Sequence, residues 1–324
     1  MLNRPRIREL SLGELLDTSF RLYRNNFLLF VKIAALVLVP YHLLSFLLTA
    51  PESPLQSSGS TTSLITSFLR STSSPTDSGW LSLIYSVVVQ PLLYGTLILL
   101  AAQCYQQQPV ALGANFRHAR QRLLTMIGAD ILQGLCIILA GLPAIFVAIC
   151  GVRFIVDQRI NAIFDASSPS ETIPTILFIL LGGLLLVLPL LVRVRLMFST
   201  QAVMLEDQGA VASLDRSWKL TQQRMWRLVG FVLVVGLLEM CLTTLPVGAA
   251  VFGISMAGAS DQLILALRVA LDAISEIVVL PFTMIAYTLM FFDLRIRSEG
   301  FDLEQHDLLA PRPDDGEYQP SPSM

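Results

Sequence analysis

Of the 324 residues, 54% are hydrophobic and only 14% are charged, whereas an average soluble domain carries roughly a quarter charged residues. So little charge cannot cover a water-facing surface, which points to an integral membrane protein. The formal net charge of −2 excludes the basic excess of a nucleic-acid binder. Four cysteines at unrelated spacings (Cys104, Cys136, Cys150, Cys241) indicate neither a disulfide framework nor a zinc site.

Residues 1–26 are polar and arginine-rich, without the short apolar core of a cleavable signal. An amphipathic helix is predicted over 12–24, capped by Ser11 with Glu14 at the capping-box position. Its Leu12, Leu15, Leu16 and Phe20, or Leu22 and Tyr23, are expected to face lipid. Six stretches then reach the roughly 20 apolar residues that a spanning helix needs: 27–49, 81–103, 123–150, 172–198, 228–252 and 270–293. Between the first two, residues 51–79 are dominated by Ser, Thr and Pro and read as an extracytoplasmic loop too polar to order itself. The acidic, proline-containing tail 304–324 reads as disordered and cytoplasmic. Residues 1–300 thus form one all-α, polytopic membrane domain of six transmembrane helices.

Orientation follows from the bases. The N-terminal segment has Arg4, Arg6, Arg8, Arg21 and Arg24, and the second link has Arg117, Arg120 and Arg122. The fourth link has Arg193, Arg195, Arg216, Lys219, Arg224 and Arg227, and the C-terminal segment has Arg295, Arg297 and Arg312. Together these are 17 of the 22 basic residues. The positive-inside bias therefore puts both termini in the cytoplasm.

The chain also repeats itself. Ser19-Phe20-Arg21, Asn115-Phe116-Arg117 and Ser217-Trp218-Lys219 each precede an odd-numbered span. Each even-numbered span carries a proline followed by bulky residues, at Pro91, Pro189 and Pro281. The expected units are 12–103, 110–198 and 210–293, each an amphipathic helix plus two spans. A unit that starts and ends on one side makes the three repeats parallel, around an axis along the membrane normal.

Three segments carry a family resemblance. They are Leu12-Gly13-Glu14-Leu15-Leu16-Asp17-Thr18-Ser19-Phe20-Arg21-Leu22-Tyr23-Arg24-Asn25-Asn26-Phe27, Glu206-Asp207 with Ser213-Leu214-Asp215-Arg216-Ser217-Trp218-Lys219-Leu220-Thr221, and Asp293-Leu294-Arg295-Ile296-Arg297-Ser298-Glu299-Gly300-Phe301-Asp302-Leu303-Glu304. In this order they resemble the glycerophosphoryl diester phosphodiesterase membrane domain family. The resemblance implies a multi-span bacterial protein of the plasma (inner) membrane. The phosphodiesterase of that name is a separate barrel of roughly 250 residues, for which no segment here has room. The resemblance supplies no catalytic residues.

The residues themselves suggest no enzyme. His42, His118 and His306 are far apart in the sequence, and no constellation of histidine with paired carboxylates is expected, so metal-assisted hydrolysis has nothing to act through. Gly258-Ala259-Ser260 reads as a turn rather than a nucleophile site, and no cofactor or metal site is expected. Charges inside spans are costly and point to function, which makes Glu239, Lys32, Asp130 and Glu276 the candidate intramembrane polar site. Glu239 lies about 11 residues, or some 16 Å, beyond Leu228. It is expected to face the bundle interior, protonated, hydrogen-bonded to a group such as Thr243 or paired with a cation of another repeat. Lys32 and Asp130 can snorkel or pair with each other, and Arg268, Asp272 and Glu276 are spaced for a ladder on one helix face.

Arg21, Arg24, Arg117 and Lys219 are the candidate contacts to lipid phosphates. Arg295 and Glu299 can pair, with Gly300 ending their helix and Phe301 and Leu303 folding back near Arg193, Arg195 or Arg216. The expected function is a non-catalytic scaffold or accessory to membrane-protein or lipid-handling machinery, with lipids and other membrane proteins as partners and no nucleic acid. The alternative is a small-solute or lipid transporter with a cavity near the pseudo-threefold axis. A polar cavity reaching the midplane favours transport, and a closed apolar core favours the scaffold. Cysteine-accessibility labelling should find 51–79 exposed outside and position 215 exposed inside; both on one side would overturn the six-span topology.

Overall fold

The computed structural model describes residues 11–48, 79–164 and 172–299. The loop at 51–78, the tail at 304–324 and the expected fold-back of Gly300, Phe301 and Leu303 lie outside the described residues. Of these described residues 91% are helical and none is in a strand.

The first helix, α1 (Leu12–Asn25), starts as the sequence predicts. The Ser11 backbone N–H donates to Glu14 Oε2 at 2.8 Å, and the Glu14 N–H donates to Ser11 Oγ at 3.2 Å. Asn26 ends it, its side-chain amide donating to the Leu22 carbonyl at 3.1 Å, and α2 (Phe27–Leu48) follows at once. The expected lipid-facing stripe needs correction. Leu15 and Tyr23 are buried in the protein, and the Tyr23 hydroxyl donates to the Val278 carbonyl at 2.7 Å. Their i, i+4, i+8 spacing with Ser19 makes one face, and that face packs on the last helix while Phe20 points outward, 56% exposed.

The second span is α3 (Gly79–Ile84), a five-residue π turn (Tyr85–Val89) and α4 (Gln90–Tyr105). A single helix, α5 (Leu112–Phe164), then runs for 53 residues, some 80 Å at 1.5 Å per residue. The unit 110–198 is expected to open with an amphipathic helix of its own, but that segment is fused to the following span. No Asn or Gly interrupts Arg117–Met126, so nothing locally ends the helix as Asn26 does after α1. The fourth apolar run is α6 (Thr172–Leu185), α7 (Val187–Leu196) and α8 (Ser199–Leu205). After α9 (Ala210–Thr221) come α10 (Met225–Glu239), a second π turn (Met240–Thr244), α11 (Leu245–Met256) and the long α12 (Asp261–Glu299). Gly258, at φ +76°, makes the turn before α12.

Among the described residues, five helical runs are long and apolar enough to cross a membrane: Phe27–Leu48, Gly79–Tyr105, Leu112–Phe154, Ile176–Leu205 and Met225–Met256. The stretch 270–293 is the middle of α12, which other helices cover at Val279, Phe282, Ile285, Ala286, Leu289, Met290 and Phe291. Outer faces stay apolar and bare, as Leu36 (76% exposed) and Leu124 (82%) show.

The prolines explain the irregular backbone. Proline has no N–H to give, so a helix loses a hydrogen bond one turn before it. Pro91 and Pro246 each stand just after a π turn, and Pro189 follows the break at Leu186. Pro40, Pro143 and Pro281 sit inside continuous helices.

The core surrounds the C-terminal half of α12. Phe30 and Leu38 of α2, Leu97 of α4, Phe198, and Leu228 and Phe231 of α10 meet Ile285, Leu289 and Phe291 there. Small residues allow close approach, as in membrane bundles generally. A Cβ added at Gly95 would stand 3.2 Å from Met126 Cε and Met204 Sδ and 3.3 Å from Ala119 Cβ.

Two buried carboxylates tie this end together. Asp293 accepts from Arg227 and from Arg297, each at 2.9 Å. Glu206 accepts twice from Arg216, at 2.7 and 2.9 Å, with Arg295 at 3.6 Å. Asp293→Asn should lower unfolding stability by about 3 kcal/mol, because it removes the buried carboxylate charge that two partly buried guanidinium groups share. Asp215→Asn, which breaks the exposed Lys219–Asp215 pair, should change it by no more than about 1 kcal/mol. Thermal unfolding in detergent compares the two, and equal shifts would contradict the assignment of Asp293 as the clamp.

Candidate functional site

A chamber of about 490 Å³ opens between the helices. The π turn and α4 supply Ser86, Gln90 and Tyr94, while α5 supplies Asp130 and Gln133. Arg193, Thr200 and Gln201 come from α7 and α8, Glu239 from the end of α10, and Thr283 and Tyr287 from α12. Local backbone sets the opening: the π turn at 85–89 leads into Gln90, and Glu239 is the last residue before the second π turn. Such turns recur at functional sites because the wider coil re-aims the side chains beside it.

The polar groups of the chamber are only partly matched. Gln90 Nε2 donates to the Tyr94 hydroxyl at 2.7 Å, and Ser199 donates to Gln133 Oε1 at 2.9 Å. Gln201 is 4% exposed, and its Oε1 is buried without a hydrogen-bond partner. Orphaned oxygens of this kind are rare and each needs an explanation. Among the described residues Asp130, Glu239 and Arg193 also show no ion pair or side-chain hydrogen bond. The chamber therefore offers two carboxylates, one guanidinium and an unmatched amide to whatever enters it.

Of the four acids and bases predicted for this site, Asp130 and Glu239 both line the chamber and Lys32 and Glu276 do not. The expectation that Glu239 faces a closed bundle interior needs correction: Glu239 and Asp130 are both exposed, because the chamber they line is open on one side. Lys32 is exposed on α2, and no ion pair joins it to Asp130. Thr243 donates to the backbone carbonyl of Glu239 at 2.7 Å rather than to its carboxylate, the same bond to the carbonyl four residues back that Ser19, Thr96 and Thr288 make. Arg268 pairs with Asp272 at 3.6 Å, but the ladder stops there. Glu276 turns instead to His42 Nε2 at 2.9 Å and to the Tyr85 hydroxyl at 2.8 Å. His118 likewise has a carboxylate, Asp207, at 3.4 Å. The isolation of these two histidines in sequence does not survive folding.

The bases expected at lipid phosphates lie at the end tied by Asp293 and Glu206. Arg21, Arg24, Arg117 and Lys219 are all exposed. Lys219 also pairs with Asp215 at 2.5 Å and borders a hollow of about 230 Å³ shared with Arg216, Arg224 and Arg297. Asp207 accepts from Arg122 at 2.7 Å, and the Arg195 guanidinium stacks over Trp218 at 4.5 Å. Arg295 reaches Glu206, while the side chain of Glu299 is outside the described residues. Among the described residues no three His, Cys, Asp or Glu side chains converge as a metal site would require.

Gln90, Gln133, Gln201 and Arg193 were missed as site residues. The amides are single polar letters in apolar runs, the one signal available. Arg193 was read as a boundary charge although α7 carries it into the chamber wall.

No curated protein and no solved structure matches the chain. A family model described as a domain of unknown function (DUF7847) matches residues 10–294, from just before the cap of α1 to the buried end of α12, and so takes in the whole chamber. The chain belongs to that family, the domain of unknown function DUF7847.

Proposed function

We propose that this chain is a non-catalytic bacterial plasma-membrane protein that binds a small zwitterionic solute or headgroup in the chamber and passes it across the bilayer. One observation carries the reading: a polar chamber between apolar helices with a buried, unmatched Gln201 oxygen at its wall. A scaffold has no use for unpaired charges in lipid, where each costs several kcal/mol. A zwitterion fits the lining, its cation toward Asp130 and Glu239 and its anion toward Arg193. The chamber lies where a bilayer midplane falls if α10 enters at Leu228, as the basic residues indicate. In this reading 270–293 is the sixth span, covered by other helices from Val279 to Phe291, while its partly exposed acids Asp272 and Glu276 are paired with Arg268 and His42. Both termini are cytoplasmic.

The threefold repeat belongs to the same proposal, and the three short motifs support it. Ser19, Asn115 and Ser217 are all buried, whereas Phe20, Phe116 and Trp218 are all exposed. Gln107 and Asp207, in the turns after the second and fourth apolar runs, both take the left-handed backbone at φ 56° and 55°. The resemblance to the glycerophosphoryl diester phosphodiesterase membrane domain rests on the three quoted segments. The scaffold reading keeps one observation, since α5 far outruns a hydrocarbon core of about 30 Å and offers a post for partner proteins.

The test uses the full chain in lipid nanodiscs with a mixture of free amino acids and phosphoethanolamine as probe. Wild type should unfold at higher temperature with the probe present, by up to about 2.7 kcal/mol at a hundredfold excess over Kd. Arg193→Gln and the double change Asp130→Asn with Glu239→Leu should abolish that shift, and Glu239→Gln should retain part of it. Gln201→Leu should leave the apo protein as stable or more stable, because it removes a buried unmatched oxygen, yet lose the probe response. No stabilisation by any component in wild type would sink the solute reading and return the scaffold.

A further inference from the structure

Behind the chamber wall lies a second polar cluster that the solute reading does not use. His42 of α2, Tyr85 of the first π turn and Glu276 of α12 meet although they are far apart in sequence. His42 Nε2 is 2.9 Å from Glu276 Oε2, and the Tyr85 hydroxyl donates to Glu276 Oε1 at 2.8 Å. The His42 side chain is only 13% exposed. Tyr41 stacks on Tyr85 with centroids 3.8 Å apart and packs edge-on against His42. The other charges facing the cluster are Asp272, one turn along α12 and paired with Arg268, and Glu239, whose carboxylate feels that of Glu276 from the chamber side.

We propose that His42, Glu276 and Tyr85 form a proton-binding site that drives the π turn at Tyr85–Val89, and with it the chamber wall. The chemistry is a single reversible protonation. A contact of 2.9 Å to a carboxylate requires a hydrogen on Nε2, so the incoming proton lands on Nδ1 of His42 and makes an imidazolium. Glu276 is then neutralised by a full ion pair and accepts less strongly from Tyr85. Tyr85 is the first residue of the π turn, and Ser86, the next, lines the chamber with Gln90. Loosening one hydrogen bond at Tyr85 therefore acts directly on the chamber wall. Protonation also cancels the negative charge that Glu276 presents to Glu239. Histidine is the side chain whose charge changes between pH 5 and 8, and a partner 234 residues away makes the proton site a property of the folded bundle. The proton site needs no solute; only its use in driving one rests on the reading above.

The experiment places a nitroxide on Ser86→Cys in the full chain, with Cys104, Cys136, Cys150 and Cys241 replaced by alanine. Spectra in nanodiscs are compared at about pH 5.5 and about pH 8. The ratio of mobile to immobile label should rise about fivefold or more in acid, the lower end of ordinary coupling between sites. His42→Gln should stay immobile at both pH values, and His42→Lys, which carries a fixed charge, should be mobile at both. Tyr85→Phe should also be mobile at both, and His118→Gln should respond as wild type does. A wild-type label insensitive to pH, or a response that survives in both His42→Gln and Glu276→Gln, would overturn the proposal. A pH response with no solute binding would leave the proton site standing and remove only the transport reading.

Discussion

A chain that exposes Leu36, Leu124 and their neighbours over most of its surface has few places to put a charge. The acids and bases must collect at helix ends or turn inward, and the bundle is organised by that restriction. At one end Asp293 holds Arg227 and Arg297, and Glu206 holds Arg216 with Arg295 nearby. These two carboxylates draw the end of α8, α9, α10 and α12 together. The apolar core of Phe198, Phe231, Leu289 and Phe291 sits just beneath them. In such packing close contact and hydrogen bonding matter more than the removal of apolar surface, and the close approach at Gly95 joins α4 to a second apolar cluster built on Ala119, Met126 and Met204.

Farther along the bundle the packing loosens, for a local reason. Pro91 and Pro246 each deprive a helix of one backbone donor, and the helix widens into a π turn just before each proline. A widened helix cannot lie flush against its neighbours, and the chamber opens beside both turns. Among the described residues that line it, Asp130, Glu239 and Arg193 are exposed and carry no ion pair, and Gln201 is buried with an unmatched oxygen. The prolines thus act through the backbone they disturb, and no contact of their own rings is needed.

Chamber and proton cluster share the turn at Tyr85–Val89. Tyr85 belongs to the cluster and Ser86 to the chamber, one residue apart on the same π turn. α12 joins the two again, with Glu276 on one side and Thr283 and Tyr287 on the other. Two polar sites joined by two shared elements make a more economical route for coupling than any path through the apolar core.

The sequence by itself determined whatever depends on neighbours a few residues apart. The apolar runs, the Ser11–Glu14 capping box and the break between the first helix and the first span follow from local hydrogen bonding and composition. It also marked Glu239 and Asp130, because a charge within an apolar run is conspicuous wherever the helix points. Only the tertiary structure decided which face of each helix turned inward. Leu15 and Tyr23 of an amphipathic helix serve equally well against lipid or against protein, and the choice came from the groove on α12 that accepts them. The pairing of His42 with Glu276, and of His118 with Asp207, depends on crossing angles between helices far apart in the chain. Periodicity fixes where a side chain lies around its own axis, and packing alone fixes what it meets.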